Sequence, residues 1–304
     1  MFTLSILGSG AATPTLGRHC SSQLVTVGSF RMMIDCGEGS QNQMRLYHHR
    51  LLSLDAVLIS HLHGDHWFGL PGLISSMHLS GRTKPLYLYA PEGLKSLIEA
   101  ILAVSGSGLQ YDLIIEEISP QQPEVLFENQ WCKVTAFPLI HSVPTYGFMV
   151  EEVTPLPNVR KEAISRYDLT GEQCQAAKRG EDLTLADGTV VPNSLLVHPR
   201  KTPHRYAYCC DTAWFDQLPR WVEGVDMLCL ECTFDTTLQS LADLRKHLTA
   251  KQAAEIAAAA HVDRLLLTHF SARYKDEKIE ILEREAKSVF ENVILAEEGS
   301  TLDV

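Results

Sequence analysis

The sequence predicts an α/β (α+β) protein built as a four-layer αββα sandwich, and three observations support this class. Short apolar runs rich in β-branched residues recur along the chain, and helical patterns lie between them. The second half of the chain repeats the mixture found in the first half, without a repeat of fixed period. Because two mixed halves can bury their apolar faces against each other, residues 1–304 are expected to form a single domain.

The predicted elements alternate from the first residues onward. Apolar, β-branched runs bounded by Gly, Pro or polar residues are typical of strands, and longer segments with apolar residues at helical spacing are typical of helices. The predicted strands are FTLSIL, SQLVTV, RMMID, AVLIS, PLYLYA, WCKVTAF, YGFMVEE, RYAYCC, DMLCLE and RLLLTH. The predicted helices are SQNQMRLYHHR, DHWFGLPGLISSMHL, PEGLKSLIEAILAVSG, TAKQAAEIAAAAH and KDEKIEILEREAKSVF.

Residues 153–192 interrupt this alternation. The stretch is polar, carries Pro and Gly towards its ends and contains two short helical segments. It predicts an inserted arm that projects from the core and is not one of its layers. Long insertions between core strands often carry function, so a binding role is one interpretation and a solvated surface excursion is the other.

Composition narrows the class of protein. Apolar residues make up 45% of the chain and charged residues 21%, as in soluble globular proteins, and no apolar run approaches the roughly 20 residues of a membrane span. The opening MFTLSILGSGAATPT predicts a strand and loop and not a signal peptide. The 8 cysteines include no paired C-x-x-C motifs of a metal site, so we expect reduced thiols and a cytoplasmic protein that does not enter a membrane.

The segment AVLISHLHGDH gathers four titratable side chains at the end of a predicted strand. His61 and His63 point the same way in an extended chain, and Gly64 permits a sharp turn. Asp65 and His66 then begin a helix and point to a second place. Two imidazoles can therefore bind one cation while a carboxylate and an imidazole bind another, a ligand set that suits zinc, or less specifically manganese or iron.

Two metals need more ligands, and three further residues follow apolar strand patterns in the same way. His141 follows WCKVTAFPLI, Asp211 follows RYAYCC, and His269 follows RLLLT. Paired metals about 3.5–4 Å apart can share a hydroxide and stabilise a displacement at phosphorus or carbonyl carbon. The expected ligand sets are His61, His63 and His141 for one metal and Asp65, His66 and His269 for the other, with Asp211 bridging.

The pattern H-x-H-x-D-H followed by later His, Asp and His resembles the metallo-β-lactamase fold superfamily. Within it the chain is most similar to tRNase Z, the family of endonucleases that trim the 3′ end of precursor tRNA. The similarity is carried by SHLHGDHWFGLPGL, LGSGAATPT, DCGEGSQNQ, YGFMVEE, CCDT, ECTFD and LLLTHFSARY, of which FGLPGL and SARY are the most specific. The resemblance implies a metallo-β-lactamase sandwich, two zinc ions per subunit on the seven ligands above, precursor tRNA as substrate and a homodimer.

The resemblance also implies catalytic roles. Asp65 would accept a proton from the nucleophilic water as well as bind metal. His247, in KHLTAKQA, would donate a proton to the leaving oxygen, and Glu231, in LECTFD, would orient it, because a carboxylate stabilises the charged imidazole. The usual Ser after this histidine is Leu248 here. The products would be tRNA with a 3′-hydroxyl and a trailer with a 5′-phosphate.

Substrate tRNA needs positive surface, yet the net charge is −11. The resemblance implies that the arm of one subunit grips tRNA bound by the other, although Gly171 is followed by Glu172 where the family has Gly-Pro. Arg273, in SARY, and Arg18, in PTLGRH, are candidate substrate contacts. The arm's basic residues are Arg160, Lys161, Arg166, Lys178 and Arg179, and Glu162, Asp168, Glu172, Glu181 and Asp182 bring its net charge near zero.

Two other functions fit the sequence less fully. A superfamily hydrolase that acts on small phosphodiesters or other esters needs no RNA-binding arm and tolerates the missing Gly-Pro. An inactive, metal-bound RNA-binding protein would not need seven ligands together with His247. Competing substrates distinguish the first from a nuclease, and turnover abolished by chelation excludes the second.

Overall fold

The computed structural model describes residues 1–106, 108–275 and 278–304. These residues form two compact units. The first contains Met1–Glu152 and His204–Val304, and the second contains Val153–Pro203. Within the described ranges, every helix is too short or too polar to cross a membrane.

Strands and helices alternate along the described chain, and the elements between Val153 and Pro203 belong to the second unit. The strands are β1 (Phe2–Gly8), β2 (Ser22–Val27), β3 (Phe30–Cys36), β4 (Ala56–Leu58), β5 (Leu86–Pro91), β6 (Leu113–Ile118), β7 (Glu124–Glu128), β8 (Cys132–Leu139), β9 (Thr145–Glu152), β10 (Leu183–Thr184), β11 (Val190–Val191), β12 (Arg205–Cys209), β13 (Met227–Glu231), β14 (Arg264–Thr268), β15 (Val293–Leu295) and β16 (Thr301–Asp303). The α-helices are α1 (Ser40–Leu46), α2 (Gly64–Trp67), α3 (Leu70–Leu79), α4 (Leu94–Ser105), α5 (Lys161–Tyr167), α6 (Gly171–Lys178), α7 (Asn193–Leu196), α8 (Leu218–Trp221), α9 (Gln239–Arg245), α10 (Ala250–Ala259) and α11 (Ile279–Lys287). Short 3₁₀ turns cover Leu51–Ser53 and Thr236–Leu238.

Two large sheets form the middle of the first unit. One has the strand order β16-β1-β2-β3-β4-β5-β6, and the other has the order β15-β14-β13-β12-β9-β8-β7. In the second sheet β12, β13 and β14 are parallel, while β9 is antiparallel to both β12 and β8. Strands β8, β12 and β14 therefore run in one direction, and their carboxyl ends meet at one edge.

Alternation of side chains along the strands builds the layers. Met32 and Ile34 on β3 join the core shared by the two sheets with α10 and α11, whereas Met33 joins a second core with α3 and α4. Helices thus cover the outer faces of two stacked sheets, and the predicted αββα class is confirmed.

The pattern DHWFGLPGLISSMHL, predicted as one helix, forms two. Helix α2 ends at Trp67 and α3 begins at Leu70 with a proline in its first turn. The break lies where Gly69 N donates to Cys36 O at 2.9 Å and where a Cβ on Gly69 would meet Gly37 O at 2.1 Å. Close backbone contact therefore ends α2 early. In KDEKIEILEREAKSVF, Asp276 and Glu277 lie outside the described residues, and α11 begins at Ile279.

The second unit has a small core of its own. Helix α6 is capped by Thr170, whose hydroxyl accepts from Gln173 N at 3.2 Å while the Gln173 side chain accepts from Thr170 N at 2.9 Å. The buried apolar residues of the unit are Ala163, Leu169, Ala177, Leu183, Val191, Leu196 and Val197.

Candidate metal centre

The predicted ligands follow the carboxyl ends of strands. An extended segment after β4 carries His61 and His63, and α2 then begins at Gly64, where a Cβ would meet the Phe68 ring at 2.4 Å. In the second sheet one candidate ligand follows each of β8, β12 and β14. The structure brings all seven side chains together: His61, His63, Asp65, His66, His141, Asp211 and His269.

The seven side chains form two groups around Asp211. Towards the first group, Asp211 Oδ2 lies 3.6 Å from His61 Nε2 and 3.6 Å from His141 Nε2. His63 Nδ1 completes this group at 3.1 Å from His61 Nε2. All potential ligand atoms of the group lie within 4.8 Å of one another, a spacing that one cation can span.

The other oxygen of Asp211, Oδ1, faces the second group. Asp211 Oδ1 lies 3.5 Å from His66 Nε2 and 3.1 Å from His269 Nε2. Asp65 Oδ2 faces the same two nitrogens at 3.5 Å and 3.4 Å. Asp211 therefore has one oxygen towards each group, which is the arrangement expected of a bridging carboxylate.

The donor atoms fit a divalent metal. In the described part of the chain, His66 Nε2, His141 Nε2 and Asp211 Oδ1 are buried without a hydrogen-bond partner. Buried polar atoms are normally satisfied, because leaving them unpaired costs free energy. Imidazole nitrogens and carboxylate oxygens that converge in this way are the ligands that zinc and similar cations prefer.

Hydrogen bonds on the outer side of the imidazoles fix their orientation. Nδ1 of His141 lies 3.0 Å from the Lys246 carbonyl oxygen, and Nδ1 of His269 lies 2.9 Å from Thr233 Oγ1. With Nδ1–H donated outward, the lone pair on Nε2 faces the centre of the cluster. Lys246 also donates from Nζ to His141 O at 2.9 Å and thereby holds this loop from both sides.

Asp35 is the residue that sequence reasoning missed. It is fully buried, and its sequence signals were its place at the end of the apolar run RMMID and at the start of the segment DCGEGSQNQ. Its carboxylate accepts from Ser60 N at 2.7 Å, from Ser60 Oγ at 2.8 Å and from Tyr208 OH at 2.6 Å, and it lies 2.7 Å from His66 Nδ1. Asp35 therefore orients His66 from outside the cluster.

His247 and Glu231 form a pair beside the cluster. His247 Nδ1 lies 2.9 Å from Glu231 Oε1, and Glu231 also accepts from Thr212 N and Thr233 Oγ1. Burial lowers the pKa of His247, but the carboxylates of Glu231, Asp211 and Asp65 together outweigh burial and raise this pKa to about 9. The following Leu248 is fully buried in the core, so the departure from the family's Ser is accommodated by packing.

Electrostatics within the cluster favour charged carboxylates. Burial raises the pKa of Asp65, but nearby His66 and His269 outweigh it and hold this pKa well below the usual range. Burial also raises the pKa of Asp211, and His269, His66 and His61 together lower it. Both carboxylates are thus ionised at neutral pH, as metal ligation requires.

A cavity of about 810 Å³ opens onto the cluster, and Arg273 lines it. Arg18 lies elsewhere: it lines a neighbouring cavity of about 290 Å³, donates to Tyr274 O at 2.8 Å and stacks over the Phe270 ring. The structure therefore places one of the two candidate substrate contacts beside the metal ligands. Phe234, Leu241 and Leu244 also line the larger cavity, and the sequence patterns did not single them out.

Relatives named ribonuclease Z match the chain along its whole length. The protein from Phocaeicola vulgatus is 40% identical over 303 residues, which cover 100% of this chain and 97% of that protein. The chain belongs to the ribonuclease Z family. A second family member, from Anoxybacillus flavithermus, is 39% identical and covers 99% of this chain and 97% of its own length.

Solved structures agree with the family. Human tRNase Z, short form, superposes with a TM-score of 0.72 at 25% identity and covers 99% of each chain. The metallo-β-lactamase fold protein YhfI from Bacillus subtilis has a TM-score of 0.70 at 20% identity, with 99% and 98% covered, a likeness in fold alone. The family and the metallo-β-lactamase fold predicted from the sequence are both confirmed.

A family model described as anti-Pycsar protein Apyc1 matches residues 2–155. This part of the chain contains the HLHGDH segment and His141 but ends before Asp211, His247 and His269. The ribonuclease Z relatives, in contrast, span every residue of the centre.

Replacing Asp35 by Asn tests its orienting role. Asn tolerates the positive φ of 58° found here, so the backbone is kept while one carboxylate oxygen is lost. We expect zinc affinity to fall about 10- to 100-fold, because the partners outside a metal site fix the tautomer of its ligands. Competition with a chelator of known affinity measures this change.

The matched control is Asp226→Asn. Asp226 also faces a histidine, His204, at 3.0 Å, but it is not a lining residue of the cavity. Unchanged zinc affinity in Asp35→Asn, with the fold intact by circular dichroism, would contradict the orienting role.

Proposed function

We propose that the protein is a metal-dependent endoribonuclease that hydrolyses one phosphodiester bond of precursor tRNA and thereby removes the 3′ trailer. The carrying observation is a single cavity lined by His247, the partner of Glu231, and by five of the seven convergent side chains: His63, Asp65, His141, Asp211 and His269. Full-length relatives at about 40% identity, named ribonuclease Z, support the same conclusion.

The metal ligands would hold two zinc ions per subunit, with manganese or iron as alternatives. His61, His63 and His141 would hold one ion, Asp65, His66 and His269 the other, and Asp211 would contact both. Divalent cations at such a site lower the pKa of bound water and polarise a phosphoryl oxygen.

The protein's own residues move the protons. Asp65, which accepts a hydrogen bond from Ala12 N at 2.7 Å, takes a proton from the attacking water. The water oxygen forms a bond to phosphorus as the bond from phosphorus to the 3′-oxygen breaks. His247 gives its proton to this departing oxygen, and Glu231 stabilises the imidazolium before transfer. The tRNA keeps a 3′-hydroxyl and the trailer a 5′-phosphate.

The arm, residues 153–192, is proposed as a tRNA-binding exosite inserted in the single domain of residues 1–304. A cavity of about 410 Å³ in the second unit supports this role, since no acidic side chain is among its lining residues. Segregation of cations on one surface makes phosphate binding compatible with a net charge near zero. The cationic and titratable residues around this cavity are Arg160, Lys178, Arg179, His198 and Arg200.

We also propose a cytoplasmic homodimer in which the arm of one subunit serves the active site of the other. All 8 cysteines are free thiols, as expected in a reducing compartment. The exposed apolar side chains of Leu46, Phe68 and Leu79 offer surface that a second copy can bury.

Hydrolysis of small phosphodiesters or other esters is the second candidate. The fold is shared with a diphosphatase from the PhnP family at a TM-score of 0.63 and 17% identity, so the fold by itself does not select the substrate. The basic cavity of the arm favours the larger, polyanionic substrate.

Cleavage of a defined precursor tRNA tests the function directly. We expect one cut immediately after the last nucleotide of the tRNA body, mapped to single-nucleotide resolution. Added zinc or manganese should restore activity to chelator-treated protein. Preferential turnover of a small ester, with the precursor left intact, would favour the second candidate.

His247→Ala is expected to lower kcat on this precursor about 10²- to 10⁴-fold, the usual contribution of a general acid. Metal content by elemental analysis should stay unchanged, since Glu231 and not the cluster is its closest partner. His204→Ala is the control, because His204 makes a comparable pair with Asp226 outside the cavity. Loss of metal in His247→Ala would instead make it a ligand.

Neutralising Lys178 and Arg179 tests the arm. The double variant Lys178→Gln/Arg179→Gln should lower kcat/KM on precursor tRNA about tenfold and reduce its salt dependence, because phosphate contacts are lost. Turnover of bis(p-nitrophenyl) phosphate should not change. Lys251→Gln/Lys287→Gln removes the same charge from helices of the first unit and serves as the control.

Mixing experiments extend this test to the dimer. A heterodimer of His247→Ala with the arm variant keeps one intact active site and one intact arm on different subunits, so mixing should restore cleavage. Equal loss on tRNA and the small substrate, or no restoration on mixing, would argue against an exosite that acts between subunits.

A further inference from the structure

One face of helix α9 forms a wall of the metal-site cavity. Leu241, Leu244 and Arg245 are spaced i, i+3 and i+4, which places them on the same side of a helix, and all three line the cavity. Leu244 is 75% exposed although it is apolar and stands beside a catalytic cluster. A ligand that enters the cavity would cover this side chain.

Phe234 lines the same cavity from a buried position. Its ring is 4% exposed and lies under the guanidinium of Arg273 at 5.6 Å, and Arg273 also donates to Ser271 Oγ at 3.2 Å. We call Phe234, Leu241 and Leu244 the α9 wall.

The charges around the α9 wall are complementary to a phosphorylated ligand. Arg245, Lys246 and Arg273 line the cavity, and its only lining carboxylates in the described chain are Asp65 and Asp211 of the metal cluster. Arg245 makes no ion pair with another described residue. An apolar surface next to free cationic charge fits a nucleotide, whose base is flat and apolar on its faces and whose phosphates are anionic.

The position of His247 decides which nucleotide this is. His247 follows α9 by two residues, and in the proposed reaction it protonates the departing 3′-oxygen. That oxygen belongs to the nucleotide on the 5′ side of the cleaved bond. In the proposed reaction the ribose of this nucleotide therefore lies near His247, and the apolar side chains of α9 line the same cavity.

We infer that the α9 wall binds the base of the nucleotide on the 5′ side of the cleaved bond, with Arg245 on its 5′-phosphate. This inference rests on the proposed function and adds a specificity determinant to it. An apolar base contact accepts every base by its face, so the wall positions the end of the tRNA body without requiring one sequence.

The test of this inference combines two changes. One removes the apolar side chain of Leu244, and the other removes the base of the nucleotide on the 5′ side of the cut. We expect Leu244→Ser to lower kcat/KM about tenfold on precursor tRNA with an intact nucleotide at this position, the effect of losing a good apolar contact. On a precursor that is abasic there, Leu244→Ser should have no further effect. An abasic site on the 3′ side of the cut should leave the effect of Leu244→Ser at its full size.

Binding without turnover gives a second readout. In the presence of chelator, fluorescence anisotropy with a stem that ends in the intact nucleotide should show about tenfold weaker binding by Leu244→Ser. A stem that is abasic at its last position should bind wild type and variant alike. Leu244→Met should restore binding, and Val104→Ser, at an exposed apolar residue on α4, should have no effect.

The outcomes separate the two proposals. If wild type cleaves the precursor but Leu244→Ser acts equally on intact and abasic RNA, or depends on the 3′ nucleotide, the α9 assignment is wrong and the nuclease function stands. If wild type does not cleave the precursor at all, both are overturned.

Discussion

The carboxylate of Asp211 lies between two sets of imidazoles, and the rest of the site is organised by that position. Each of its oxygens is within 3.6 Å of nitrogens from one set, in a place that water scarcely reaches. A buried carboxylate and several buried imidazoles would be costly without a cation, because unpaired polar atoms lose their hydration. Since β8, β12 and β14 end at the same edge of one sheet, the course of the backbone by itself places these side chains close together.

The centre is also tied to the packing of the two sheets. Asp35 belongs to β3 of one sheet, and Tyr208, which donates to it, belongs to β12 of the other. One buried carboxylate therefore joins the sheets and orients His66 at the same time. Any shift of one sheet against the other would leave a charge unpaired, so the geometry of the candidate metal ligands is coupled to the core.

Sequence patterns predicted which side chains converge at this edge, because the relevant signal is local. A histidine or aspartate straight after an apolar strand already carries the information, and His141, Asp211 and His269 all show it. Asp35 carries the same signal, but its role depends on Ser60, Tyr208 and His66, which only the fold brings to it.

Tertiary contacts and edge positions explain three of the features that were not predicted. The break between α2 and α3 depends on the contact between Gly37 and Gly69, residues far apart in sequence. Strands β6, LIIEEI, and β7, EVLFE, lie at sheet edges with exposed, acidic positions, so they lack the continuous apolar run by which central strands are recognised.

The overall negative charge of the protein has little effect inside the cavity. Salt screens interactions beyond about 8 Å, so the net charge of −11 acts weakly on a phosphate that is already in the cavity. Arg245, Lys246 and Arg273 line this cavity, and an acidic protein can bind RNA where local cations outweigh its overall charge.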